Sequence, residues 1–457
     1  MGNVAQRLSE IVGEPHLLSG AEIPADYASD ESLTGEPVSP RYVVKPATAD
    51  EVAAVLAAAS EQRIPVTARG SGSGLSAAAR PHPDGILISF ERMNRVLEVD
   101  AVNHVAVVQP GVTLSELDAR TAEAGLGYTV YPGEMSASVG GNVGTNAGGM
   151  RAVKYGVTRN NVLGLQAVLP TGEIIRTGGK IVKTSTGYDL TQLIIGSEGS
   201  LALATEITVK LHPRLAHGVT VLAPFNDFDQ VMAAVPATVS SGLAPHILEY
   251  LDALTMAAIT YTAQLSLGIP DEVRDASQAY LVVGLENREA KRLDGDVQSV
   301  SELLTELGAT DVYVLEGSAA RKLIEAREKA FWTAKAAGAD DVIDVVVPRS
   351  AMPEFLGRAR EFAAKTESGV VGCGHAGDGN VHLAIFQKDP AKRASLLHGI
   401  FALGMELGGA ISGEHGIGRA KKEHFLELED PVKIDLMKRI KQAFDPAGIL
   451  NPGVLFD

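Results

Sequence analysis

The sequence predicts an α+β protein with two domains, and three observations carry that prediction. At 457 residues the chain has ample apolar material for two cores of ordinary size. Helical and strand-like segments alternate without the strict βαβ rhythm of a parallel sheet, so antiparallel pairing is expected. Three glycine-rich loops punctuate the first half. The first of them lacks the spacing of the dinucleotide fingerprint, whose glycines open a helix after a first strand. No internal repeat or low-complexity tract is visible.

The elements follow in order. Thr48-Ala-Asp-Glu51 reads as a capping box that opens a helix with Val52, Val55, Leu56 and Ala59 on one face. The apolar step Ile64-Pro65-Val66 leads into the first glycine loop, Thr67 to Ser76. There Gly70, Gly72 and Gly74 permit positive φ, so consecutive backbone N–H groups can form an anion-binding nest, and Arg69, Ser71, Ser73 and Ser76 add donors. A solvated loop is the competing reading of this segment alone. Residues 94–100 and 104–109 read as a pair of strands ending at Pro110-Gly111, and Thr113-Leu-Ser-Glu116 opens another helix.

The second small-residue segment, Pro132 to Gly149, cannot fill a core by itself; it suits a backbone lying against a flat or phosphorylated ligand. The third, Gly196-Ser-Glu-Gly199, repeats that logic between apolar runs. Together the loops point to one large cofactor wrapped by one domain. Residues 206–211 read as a strand, and Pro213 closes the first domain. Beyond it come a strand at 219–223, a helix at 228–239, a strand at 280–285, a charged helix at 289–307 and a strand at 312–315.

Composition sets limits. Forty Lys and Arg against 56 Asp and Glu give a net charge of −16, which opposes general affinity for nucleic acid or anionic membrane. The one cysteine, Cys373, excludes an intrachain disulfide framework, suits a reducing compartment, and reads as a buried structural thiol. The first ten residues lack an apolar export core, and no window is long enough to span a membrane. A cytoplasmic location is expected, with any membrane association made through a partner.

The chemistry concentrates near the C-terminus. His375-Ala-Gly-Asp-Gly-Asn-Val-His382 and Gly413-Glu414-His415-Gly416 place three imidazoles and two carboxylates within about forty residues, among glycines. A spacing of seven with turn residues between fits a tight loop entering a strand better than a helix face. Two imidazoles and one carboxylate are the inventory of a divalent metal with open positions, and His415 beside it can move a proton. Asp378 is expected to shape the turn through its own backbone, and Asn380 to orient a ligand imidazole. Glu249 and Asp252, three apart, read as a structural pair on one helix face.

On these motifs the chain resembles the flavin-dependent superfamily of vanillyl-alcohol oxidase and p-cresol methylhydroxylase. Within it, the branch of D-lactate dehydrogenases, D-2-hydroxyglutarate dehydrogenases and the glycolate oxidase D-subunit is most similar. The likeness runs from about Arg41 to Pro452 and includes the ending Asp445-Pro-Ala-Gly-Ile-Leu-Asn451-Pro-Gly453. It implies an FAD-binding domain over residues 41–216, after a lead-in of 1–40. It also implies an α+β substrate (cap) domain over 217–418 and a return of 419–457 to the FAD domain.

In that family the first loop holds the FAD pyrophosphate, which implies this role for Arg69, Gly70, Ser71, Gly72, Ser73, Gly74 and Leu75. The ribityl and isoalloxazine region falls to Pro132, Gly133, Ser136, Ser138, Gly140, Gly141, Asn142, Gly144, Thr145, Asn146, Gly148 and Gly149. Glu198 stands in a loop near the adenine end, and Asn451 belongs to the terminal signature. The likeness further implies His375, His382 and Glu414 as metal ligands, His415 as base, Arg327 as substrate arginine and Lys421 near the site. The implied reaction is oxidation of a D-2-hydroxy acid, D-lactate or glycolate first, to the 2-oxo acid. Hydride goes to flavin N5, and a divalent metal activates the hydroxyl, with zinc ahead of manganese or iron.

Departures from the pattern refine this. Ser73 replaces the histidine that attaches flavin in some relatives, so FAD is expected to be non-covalent. Ala384 stands where D-2-hydroxyglutarate enzymes carry Asn, which disfavours a dicarboxylate, and Val454 where the glycolate oxidase subunit often has Lys. The implied acceptor is not a nicotinamide but an iron–sulfur partner subunit, a quinone, a cytochrome or an electron-transfer flavoprotein; a homodimer is a further expectation. Two other readings stay open: a non-catalytic flavin relay subunit, and a metal-dependent hydrolase whose loops hold a nucleotide. His104, His212, His217 and His398 read as ordinary residues, and Trp332 has no assigned task.

Overall fold

The protein's computed structural model describes residues 4–456. Its first sheet has the order Leu17–Ser19, Tyr42–Val44, Ile86–Ser89, Val66–Arg69. The last three strands run parallel. Their residues are largely buried, and a strand buried on both faces shows no alternation to read. Leu17–Ser19 pairs antiparallel at the edge, so residues of the expected lead-in belong to this sheet. Helix Ala49–Gln62 sets Val52, Val55, Leu56 and Ala59 into its core. Thr48 accepts from the Glu51 N–H (3.1 Å), but the Glu51 carboxylate accepts from Ala47 (2.8 Å), one residue short of a reciprocal box.

A five-stranded antiparallel sheet follows, ordered Val96–Asp100, Val105–Val108, Leu203–Lys210, Val162–Val168, Ile174–Gly178. Helix Leu114–Ala122 opens with the complete capping box expected of Thr113 and Glu116. The glycine loops lie between these two sheets and short helices, the most notable being Val139–Thr145, capped by Ser138.

The second half builds a seven-stranded antiparallel sheet. Its order is Tyr313–Leu315, His217–Phe225, Ala279–Asn287, Ile247–Asp252, Gly369–His375, Asn380–Phe386, Asp341–Val346. Helices Phe228–Ser240, Ala290–Glu306, Met352–Lys365 and Pro390–Glu406 supply the core on one face. A smaller core beneath helices Ala253–Thr262 and Gly317–Glu328 lies on the other. The chain end returns to the first sheet: Val66 donates to the Ile449 carbonyl (2.8 Å), and Asn451 donates to that of Val66 (2.7 Å). No helix among the described residues is long and apolar enough to cross a membrane.

Candidate active site

The glycine loops wall a cleft of about 1280 Å³ of empty space. One wall is Gly70 to Ser76, and the other is the Ser138–Thr145 segment. The two walls are tied by Ser71 and Ser138, whose hydroxyls each accept the other's backbone N–H (3.3 and 2.8 Å). A Cβ at Gly70 would run into the Ser138 hydroxyl, which fixes glycine there. Gly72 adopts φ 76°, and the N–H groups of Gly72, Ser73, Gly74 and Leu75 find no protein acceptor among the described residues. The buried Asn142 Nδ2 in the facing wall is also unpartnered. Unspent donors on glycine-rich walls fit a phosphorylated cofactor of FAD's kind.

His375 and His382 stand on the two strands of a hairpin whose turn is Ala376–Asp378 followed by Gly379 at φ 77°. Their ligand atoms and those of Glu414 lie within 4.8 Å of one another. Glu414 Oε1 is 3.0 Å from His375 Nε2 and 3.3 Å from His382 Nε2, while Glu414 Oε2 and the poorly aligned His382 Nε2 are buried without hydrogen-bond partners. Burial opposes charging of His375, yet Glu249 and Glu414 on its two ring nitrogens push the imidazole up to about 10. Burial holds His382 below the ordinary imidazole range. Glu414 is held well below the carboxylate range, its burial outweighed by the two imidazoles. An anionic carboxylate and two inward-facing imidazoles fit a divalent ion of the zinc, manganese or iron type.

The Gly413–His415 turn is set by one residue that sequence reasoning missed. Asp344, fully buried in strand Asp341–Val346, accepts backbone N–H groups from Gly413, Glu414 and His415 at 2.9, 2.7 and 2.9 Å. Lys421 neutralises it through a short ion pair and also donates to the Gly416 carbonyl (3.2 Å). From the cleft side, Ser76 donates to the His415 and Gly416 carbonyls (3.0 and 2.9 Å), and Glu198 accepts from Ile417 and Gly418 (both 2.8 Å). Burial pushes the Glu198 carboxyl up to about 7. His415 Nδ1 lies 3.4 Å from Asp344. Burial dominates that imidazole and carries it down to about 4, so it is neutral near pH 7.

A second cavity opens beyond the cluster. It contains Arg327, whose Nη2 lies 2.6 Å from Glu249 and whose Nε and Nη2 make no aligned hydrogen bond. The cleft and this cavity share Leu75, Pro132, Glu414 and His415. The two spaces therefore meet at Glu414 and His415.

Among the other expected cofactor residues, Pro132, Gly140, Gly141, Gly144, Thr145 and Asn451 line the cleft, and Gly133 lines the second cavity. Arg69 does not line it: its guanidinium donates to the Ser29 carbonyl (2.5 Å) and lies over the Tyr27 ring. Ser136 donates to Glu134, and Asn146 caps the short helix and accepts from Arg159. Gly148 leaves room for Glu414, since a Cβ there would meet Oε2 at 2.8 Å, and Gly149 packs on the Tyr131 carbonyl. Lys421 lines neither space and faces Asp344.

Several smaller expectations are corrected. Glu249 and Asp252 lie on a strand, not a helix: Glu249 accepts from His375 Nδ1 (2.8 Å), while Asp252 caps the following helix and accepts from Gly372. Asn380 orients no imidazole; it donates to the Val345 carbonyl (3.2 Å) beside Gly413. Asp378 makes no turn bond, and its Oδ2 is buried and unpartnered. Cys373 is buried, as expected, with its thiol pushed up to about 11 by burial. His398 sits 3.5 Å from Glu427, and Trp332 donates to Glu134 (3.3 Å).

Residues 40–178 match the family described as FAD binding domain, and residues 214–455 that described as FAD linked oxidases, C-terminal domain. A Mycobacterium tuberculosis protein described as an uncharacterized FAD-linked oxidoreductase is 70% identical, covering 100% of this chain and 99% of its own length. D-lactate dehydrogenase of Anaerostipes hadrus is 37% identical over 97% of this chain and 95% of its own. Glycolate oxidase subunit GlcD of Bacillus subtilis is 36% identical over 91% and 89%. Among solved structures, p-cresol methylhydroxylase superposes with a TM-score of 0.81 at 18% identity, covering 99% of this chain and 96% of that one, a likeness of fold alone.

Proposed function

The chain belongs to the family of FAD-linked oxidases, and we propose that within it the protein oxidises a D-2-hydroxy acid to the 2-oxo acid. The observation that carries this reading is the meeting of the glycine-walled cleft and the Arg327 cavity at Glu414 and His415. When bound, FAD supplies two-electron acceptance and a divalent ion at His375, His382 and Glu414 supplies Lewis acidity.

The chain's own residues do the rest. Arg327, its Nη2 held beside Glu249 and its Nε without a hydrogen-bond partner, offers its guanidinium to the substrate carboxylate, a planar fork that suits this better than an ammonium. Burial keeps the His415 imidazole neutral, and it takes the hydroxyl proton. Glu249 fixes the His375 ring from behind and balances the Arg327 charge. Asp344 holds the backbone of Glu414 and His415, so Lys421 acts through Asp344 as a positioning residue. Gly70 to Leu75 and Ser138 to Thr145 hold the cofactor's phosphates and ribityl chain. The acceptor is a non-nicotinamide carrier, met in the cytoplasm or at a membrane through a partner.

The test is the visible spectrum of the purified holoenzyme under anaerobic conditions. A flavin bleached by a D-2-hydroxy acid and not by its L-enantiomer is the expected result. A flavin that no D-2-hydroxy acid reduces would remove the reading.

A further inference from the structure

The second cavity has two unlike ends. One is the polar floor of Arg327, His375, His382, Glu414 and His415. The other is carbon: Leu254, Ile259, Phe331, Ala334, Val371 and Phe386. Among the described lining residues Arg327 is the only Lys or Arg, and it is already paired with Glu249. The Thr255 hydroxyl in this wall is committed to the Gly372 carbonyl (3.1 Å). Glu328 also lines the cavity, so a second substrate carboxylate would meet a further acid and, among the described lining residues, no cation besides Arg327. At the mouth, Leu254, in the first turn of helix Ala253–Thr262, is 68% exposed.

A two- or three-carbon acid anchored on Arg327 would leave this apolar end without an occupant. Resting on the reading of the site given above, we propose that the substrate's side chain is a sizeable apolar group. It is an aliphatic or aromatic chain on the order of four carbons or more, which the carbon wall buries. Neither a second carboxylate nor a lone methyl complements these walls.

The experiment is a kcat/KM series on the FAD- and metal-loaded enzyme with a dye acceptor. The acids are glycolate, D-lactate, D-2-hydroxy-4-methylpentanoate, D-phenyllactate, D-2-hydroxyoctanoate and D-2-hydroxyglutarate, and calorimetry of the matching 2-oxo acids gives binding without turnover. Expected is a rise of about tenfold or more from D-lactate to the best apolar acid, with a parallel fall in Kd for its 2-oxo acid. Replacing one wall residue, Ala334→Glu, is expected to shrink that preference about tenfold.

A flat series, or one led by D-lactate, glycolate or D-2-hydroxyglutarate, overturns this inference and leaves the 2-hydroxy-acid reading standing. A preference unmoved by Ala334→Glu also overturns it. If no acid in the series reacts and no 2-oxo acid binds, both fall together.

Discussion

The Nδ1 atom of His375 lies 2.8 Å from Oε1 of the fully buried Glu249, on the ring face opposite Glu414. Glu249 thus directs Nε2 at the cluster and, through its other oxygen, meets Arg327 at 2.6 Å. One carboxylate touches both the His375 ring and the Arg327 guanidinium. Glu249→Gln is expected to lower metal affinity about 10–100-fold while FAD content stays stoichiometric. Metal analysis after dialysis, beside the flavin spectrum, checks this; undiminished metal would deny Glu249 the orienting role.

Arg327→Lys keeps the charge and loses the planar fork. KM for the 2-hydroxy acid should rise at least about tenfold, with kcat changing less. Steady-state kinetics with a dye acceptor reads this directly, and an unchanged KM would exclude Arg327 from carboxylate binding.

Lys421 pairs with Asp344 inside the protein, so Lys421→Met leaves a buried carboxylate without its cation. A loss of about 3–5 kcal/mol in denaturant unfolding is expected, with little change in KM for the acid. A large KM effect at unchanged stability would instead place Lys421 on the substrate.

The sign for Glu198 is set by its raised carboxyl, at about 7 in the fold against an ordinary 4.5. The protonated group's contribution is fully present below about pH 4.5 and is lost as pH rises through about 7, since in that window the folded state binds the extra proton. The fall amounts to about 3 kcal/mol. Glu198→Gln should flatten stability over that window; an identical slope in wild type and variant would deny the burial effect.

Much of this was legible in the sequence where chemistry is local. Thr48, Thr113 and the alternation of residues 94–109 define their elements through nearest neighbours, and each element formed. The two-histidine hairpin and the Glu-His-Gly turn were readable as parts of one cluster, and the structure brings His375, His382 and Glu414 together. Glu249 was visible but misassigned: its strand is buried almost end to end, and a spacing of three then imitates a helix face. Asp344 carried a faint signal, a lone acid within the apolar run Val342-Ile-Asp-Val-Val346, where a buried charge demands partners. The directions of Arg69 and Lys421 were not legible, because Ser29 and Asp344, their partners, are brought to them only by the tertiary fold.

The most direct test compares single-turnover flavin reduction in wild type and His415→Ala, both shown to hold equal FAD and metal. The account predicts equal occupancy and a reduction rate lower by about 10²–10⁴-fold in the variant. Near-normal reduction by a D-2-hydroxy acid in His415→Ala would contradict it, since the proton would then be leaving by a route that does not use the residue on which the two cavities converge.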